Sequence, residues 1–146
     1  MRTSEKGLQI IREFESLRLE AYLCPAGVWT IGYGHTDGVK KGDKITEYMA
    51  EEYLKMDARN CERALAKYII PKINQNQFDA LVSFTFNIGT GYKFQQSTLL
   101  KKVNANPMDE SIAYEFSRWK HDKNGVELAG LVRRRKMEAD LYFSKD

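Results

Sequence analysis

A carboxyl, a thiol and a hydroxyl stand close together near the N-terminus, at Glu15, Cys24 and Thr30. Each could handle a proton or a water molecule. Glu15 is the most informative, because it sits where a helical pattern asks for an apolar residue. At roughly 100° per residue, Ile10, Ile11, Phe14 and Leu17, with Leu8 at the edge, sweep one arc, while Gln9, Arg12 and Glu13 hold the other. Glu15 follows Ile11 by four positions and Leu8 by seven, so it falls within the apolar arc. A carboxyl held against apolar neighbours has its charged form disfavoured, which is how a glutamate becomes a general acid near neutral pH. The competing expectation is a residue at the helix end that turns out to water.

The elements that must position these groups can be read around them. From Leu17 the pattern shortens to alternation, Leu17, Leu19, Ala21 and Leu23 against Arg18, Glu20 and Tyr22. A turn at Cys24-Pro25-Ala26-Gly27 leads into a second run, Val28 to Gly34, and the pair predicts a β-hairpin. Trp29, Ile31 and Tyr33 make one heavy face of that run; Thr30, Gly32 and Gly34 make the other nearly bare. Glycines on one face let a backbone or a ligand come close, leaving Thr30 a lone hydroxyl on an open floor. A bent strand packed under a neighbour is the alternative.

Helices account for the rest. Thr46 is the expected N-cap of a long helix to about Tyr68, with Met49, Tyr53, Met56, Leu65 and Tyr68 among its apolar members, ended by Pro71. Asn74 or Asn76 opens a second helix, apolar on nearly all sides through Phe78, Leu81, Val82, Phe84 and Thr85 and thus the expected buried centre. Shorter helices are predicted at about Ser97 to Val103, Met108 to Trp119 and Leu131 to Phe143, with residues 120–130 a loop. The expected fold is α+β and mostly helical. A hairpin lobe (about 17–45) is joined by a linking helix (about 46–68) to a helical lobe (about 69–146 with the N-terminal helix), and the cleft between the lobes suits a polymer.

Composition narrows the function. At 146 residues and 42% hydrophobic, the chain supports one globular core, and no apolar run approaches the ~18 residues of a membrane span. Met1 to Lys6 lacks a secretory layout. Two cysteines, Cys24 and Cys61, suit a reducing compartment, and two histidines, His35 and His121, are too few for a metal cluster, so neither metal nor cofactor is expected. A net charge of +3 is too small to indicate nucleic-acid binding but favours approach to an anionic cell envelope.

With eight residues between Glu15 and Cys24 and five between Cys24 and Thr30, the run Ala21 to Thr36 (AYLCPAGVWTIGYGHT) resembles the active-site segment of phage-type lysozymes. These are the endolysins of glycoside hydrolase family 24, which carry a Glu, Asp-or-Cys, Thr triad at that spacing. Further matches follow in order: Phe86-Asn87-Ile88-Gly89, Ser97-Thr98-Leu99-Leu100, Ser117-Arg118-Trp119, and Gly130-Leu131 with Arg134 and Arg135.

The resemblance implies a lysozyme-like fold and a muramidase that cuts the β-1,4 bond between N-acetylmuramic acid and N-acetylglucosamine in peptidoglycan, lysing the host cell. It makes Glu15 the acid and Thr30 the partner that orients water. Cys24 takes the place of the usual aspartate, as a thiolate stabiliser, a nucleophile or a water-positioning group; a free thiol ionises near ~8.5. Thr36, Phe86, Asn87 and Ser97 match positions near bound sugar, although a turn contact, helix-end hydrogen bonding and an N-cap would explain them as well. Arg134 matches the arginine that pairs with the acid, and its neighbours Arg133, Arg135 and Lys136 suit a solvated face. His35 is expected to be structural. The resemblance also implies a monomer held in the host cytoplasm until a holin breaches the inner membrane, acting then on the wall without stable membrane insertion. Two other classes compete. A cysteine peptidase or amidase would use Cys24 with His35 or His121, and a wall-binding module would use none of these groups as catalysts.

Overall fold

Ser4 starts the first helix, its hydroxyl accepting the Gly7 N–H, and a computed structural model describing residues 1–145 shows that helix as α1 (Glu5–Phe14). Leu8, Ile10 and Ile11 are buried along it, as the apolar arc predicts. The helix stops one residue short of Glu15, which caps it in an extended conformation while its N–H still reaches the Ile11 carbonyl at 2.9 Å. Glu15 therefore leaves the arc that the sequence placed it on.

The hairpin is antiparallel, β1 (Arg18–Leu23) on β2 (Trp29–Gly32), with Leu23 opposite Trp29, Tyr22 opposite Thr30, and an irregularity between Arg18 and Tyr22. The segment around Lys44 lies along the free edge of β1, with Ala21 N–H on the Asp43 carbonyl and Ile45 N–H on the Leu19 carbonyl, both at 2.9 Å. Alternation misjudged β1, since Leu17, Leu19 and Leu23 are all exposed. In β2, Ile31 is buried as expected, but so are Thr30 and Gly32, so the bare face is not an open floor. Gly32 has φ +66°, and a methyl group there would touch Ala50 and Ile45 at 3.5 Å. That glycine marks a strand packed under α2.

Thr46 caps α2 (Glu47–Tyr68), accepting the Met49 N–H. Its buried stripe is Ala50, Leu54, Ala58, Cys61 and Leu65, with small residues letting the helix approach β2. Met49 and Met56, expected inside, are exposed instead. Asn74 and Gln77 form a capping box that opens α3 (Gln75–Ile88), and ten consecutive residues, Asn76 to Thr85, are buried. This is the predicted central helix, packed by α1, α2 and the last helix.

The remaining helices are α4 (Tyr92–Gln95), α5 (Thr98–Ala105), α6 (Ile112–Ser117) and α7 (Ala129–Tyr142). The helix expected from Met108 begins only at Ile112, because Asn106 and Asp109 draw the Met108 and Ser111 N–H groups into local turns. Within the loop expected at 120–130, His121 and Glu127 form one antiparallel bridge. The final position of the expected helical lobe lies outside the described residues.

Candidate active site

The end of α1, the turn after β2 and the middle of α7 converge on Glu15. Its Oε1 accepts a hydrogen bond from Arg134 Nη1 at 2.9 Å, and its side chain is 22% exposed. The other oxygen faces glycine: a methyl group at Gly34 (φ +83°) would lie 3.2 Å from Glu15 Oε2. Any side chain there would crowd the carboxyl, and the left-handed backbone favours glycine in any case. Ile31 and His35 exchange both of their backbone hydrogen bonds at 2.9 Å, and that tight turn presents Gly34. The carboxyl thus has one oxygen pinned by a cation and the other left beside bare main chain. Its setting is ionic, not the apolar arc expected from α1.

Cys24 and Thr30 meet across the hairpin. The Val28 carbonyl accepts the Cys24 N–H at 3.0 Å and the Thr30 Oγ1–H at 3.0 Å. The Val28 N–H holds the Cys24 thiol below its ordinary range against desolvation, the next largest effect, and the Ala26 N–H and the Thr30 hydroxyl add to the lowering. Cys61 differs entirely: burial in α2 pushes its thiol up to about 11.

Behind Glu15 lies a buried ionic network, which holds Arg134, expected as the partner of the acid, and Arg135, expected on a solvated face. Arg134 and Arg135 are both buried, and Glu138, which drew no attention as a residue type, is fully buried. Besides Glu15, Arg134 donates to the Ser83 carbonyl at 3.0 Å and to Glu138 Oε2 at 3.4 Å. Ser83 Oγ donates to the same Glu138 oxygen at 2.5 Å. Arg135 donates to Asn87 Oδ1, stacks over the Phe84 ring at 5.0 Å and lies 3.2 Å from Glu138 Oε1. Burial pushes Glu138 above its ordinary range, against the pull of Arg135 and Arg134, and draws Arg135 down to about 10.

The other expected site residues divide. Asn87 is exposed at the end of α3 and is oriented by Arg135; Phe86 beside it is half-buried against the core. Thr36 is exposed in the loop after β2. Ser97 is buried and its hydroxyl is fully used, accepting the Leu100 N–H and donating to the Phe94 carbonyl at 2.7 Å. It is an N-cap. His35 is buried, with Nδ1 2.9 Å from Asp57 and its ring stacked on Tyr53 at 4.3 Å. That commitment is structural and leaves no imidazole among the groups that act on Cys24.

Known proteins resemble this chain along nearly its whole length. Residues 12–138 match the family model described as phage lysozyme. The chain is 45% identical to the endolysin of Acyrthosiphon pisum secondary endosymbiont phage 1 over 147 residues, which cover 99% of both chains. It is 38% identical to the endolysin of Salmonella phage P22, again over 99% of each. It also matches endolysins of Bacillus phages B103 and PZA, and spans about half their length, 55% and 56%. Among solved structures, the muramidase domain of SpmX from Asticaccaulis excentricus superposes with a TM-score of 0.90 at 38% identity, covering 99% of both chains.

Proposed function

Because the chain belongs to the phage lysozyme family, we propose that Glu15 is the proton donor with which it cleaves the β-1,4 bond between N-acetylmuramic acid and N-acetylglucosamine. The protein is a glycoside hydrolase that degrades peptidoglycan. The observation that carries the assignment of the acid is the asymmetric setting of Glu15. Arg134 fixes Oε1, so the carboxyl cannot rotate, and Oε2 stands beside Gly34 where no side chain obstructs a sugar. A proton on Oε2 passes to the glycosidic oxygen as the bond to the anomeric carbon breaks, and positive charge grows on that carbon.

Water must then bond to that same carbon, and the proton it sheds restores the Glu15 carboxyl through solvent. Thr30 gives its proton to Val28, so its remaining lone pairs can accept from a water molecule and orient it. Cys24, favoured toward the thiolate by main-chain N–H groups, supplies negative charge near the developing oxocarbenium. Asn87 and Phe86 at the end of α3, and Thr36 in the loop after β2, would line the sugar path; Ser97 has no free hydroxyl to offer it. The endolysin relatives support action on the cell wall. Holin-dependent release from the host cytoplasm and action as a monomer belong to the same proposal.

Variants at two positions test the hairpin. Thr30→Ala deletes one hydroxyl whose hydrogen bond contributes only about 1 kcal/mol to stability. Misplaced water, by contrast, should lower turnover on the order of 10²-fold. A folded Thr30→Ala protein with wild-type release of reducing ends would remove Thr30 from the mechanism.

For Cys24, iodoacetamide at neutral pH should attach once, at Cys24, and stop hydrolysis, because Cys61 is buried and pushed up to about 11. If the Cys24 thiolate matters, the activity of the native enzyme should fall as pH drops through a value below that of an ordinary thiol. In Cys24→Asp that fall should shift to the carboxylate range, and Cys24→Ser should lower activity at every pH. A pH–rate profile unchanged in Cys24→Ser would show that the sulfur only fills space.

A further inference from the structure

Four cations fall on one line of α2: Lys55, Arg59, Arg63 and Lys67, each four residues after the last and all exposed. At about 1.5 Å per residue the stripe runs about 18 Å along the helix. The nearby acids are largely occupied. Glu62 accepts the Thr3 N–H at 3.0 Å and the Thr3 hydroxyl at 2.7 Å. Glu51 is held by Arg12, and Asp57 by His35 on another face. Glu52 Oε1 reaches Lys55 at 4.0 Å. Arg63 bonds only the neutral Asn60 and Lys67 lies over the Tyr68 ring, so neither cation has an acid partner among these contacts.

The stripe borders a chain of shallow depressions. The first two share Arg2, Arg59 and Glu62, and the second joins the third through Met1 and Ala66. Along this path the lining changes character. The third depression, of about 380 Å³, is walled chiefly by apolar side chains, Leu65, Ile69, Pro71, Ile73 and Phe78 among them. Met1 and Lys72 also line it, Met1 61% exposed and Lys72 continuing the positive edge, and Ile70, between the lining residues Ile69 and Pro71, is 84% exposed. Positive charge that grades into exposed apolar surface is complementary to a lipid interface, where phosphates lie above acyl chains. A wall polymer would match the charge and leave the apolar end unexplained.

We propose that this face docks the protein peripherally on an anionic phospholipid surface. Lys55, Arg59, Arg63 and Lys67 meet headgroup phosphates, and Ile70 and Met1 enter the acyl boundary. The proposal does not depend on the assignment of the catalytic acid.

Co-sedimentation of the full chain with phosphatidylcholine vesicles, with and without phosphatidylglycerol, tests it. Binding is expected only to the phosphatidylglycerol vesicles and should weaken with salt. Arg59→Gln/Arg63→Gln/Lys67→Gln should lower the partition on the order of 100-fold, about fivefold per cation. Ile70→Asn should lower it severalfold with the salt dependence unchanged, and inorganic phosphate should not compete at low millimolar levels. All these substitutions are at exposed positions, and the variants should hydrolyse purified, lipid-free cell wall at the wild-type rate. No binding by the wild type, full binding by the triple variant, or wild-type binding by Ile70→Asn would each overturn the proposal. Loss of hydrolysis of lipid-free wall by the triple variant would assign the stripe to the wall instead, and would leave the hydrolase reading standing.

Discussion

Glu15→Gln is expected to reduce the release of new reducing ends from peptidoglycan by about 10²–10⁴-fold, the usual contribution of a positioned general acid. The substitution preserves shape. A glutamine oxygen can still accept from Arg134 Nη1, and Arg134 keeps its contacts with the Ser83 carbonyl and Glu138, so the fold should persist. What disappears is the acidic proton beside Gly34. The same incubation separates the competing chemistry, because a Cys24-dependent amidase would release free amines and would be indifferent to Glu15→Gln. More than a tenth of wild-type reducing-end formation in a variant with an unchanged circular dichroism spectrum would take the role away from Glu15.

Much of the frame that holds this acid was legible in the sequence, because its signals are local. Thr46 and Asn74, both read as helix starts, each accept an N–H three residues on, and Pro71 follows the end of α2. The hairpin and the crowding of Gly34 against a functional group were likewise written in neighbouring residues. Other elements had no such signal. The four-residue α4 lacks a side-chain cap, and the leucines of β1 alternate without a core to face.

The clearest failure is α7. Its buried positions, Arg134, Arg135, Glu138, Leu141 and Tyr142, have helical spacing, but three of the five are arginine or glutamate. Apolar periodicity cannot detect a buried face made of charges, so Arg135 reads as part of a solvated run with Arg133 and Lys136, and only the resemblance marked Arg134 as a partner of the acid. The charges are tolerated inside because they answer residues far away in the chain: Glu15 is 119 positions from Arg134, and Ser83 is 55 from Glu138. Arg135 likewise reaches Asn87, which tied a predicted wall of the sugar path to a residue assigned to solvent.

That network sets up the largest stability effect expected in this chain. Arg134→Met replaces the guanidinium with an apolar chain of similar reach, so little cavity should form. It removes the side-chain donor that the Ser83 carbonyl has beyond its helical one, and leaves Glu138 with Ser83 and the poorly aligned Arg135 alone. Breaking a buried ionic group in this way costs about 3–5 kcal/mol, which corresponds to a fall in Tm of roughly 10–15 °C for a chain of this size. The pH dependence identifies the cause. Burial already pushes Glu138 above its ordinary range, and removing Arg134 should push it further. A carboxyl raised in the folded state contributes its stability in full below its unfolded value, and loses it as pH rises through the folded value. The deficit of Arg134→Met should therefore be greatest at neutral and alkaline pH and shrink as pH falls toward the ordinary glutamate range. Melting curves of both proteins across that range decide the matter, since a deficit of the same size at every pH would point to lost packing and would remove the buried carboxylate from the account.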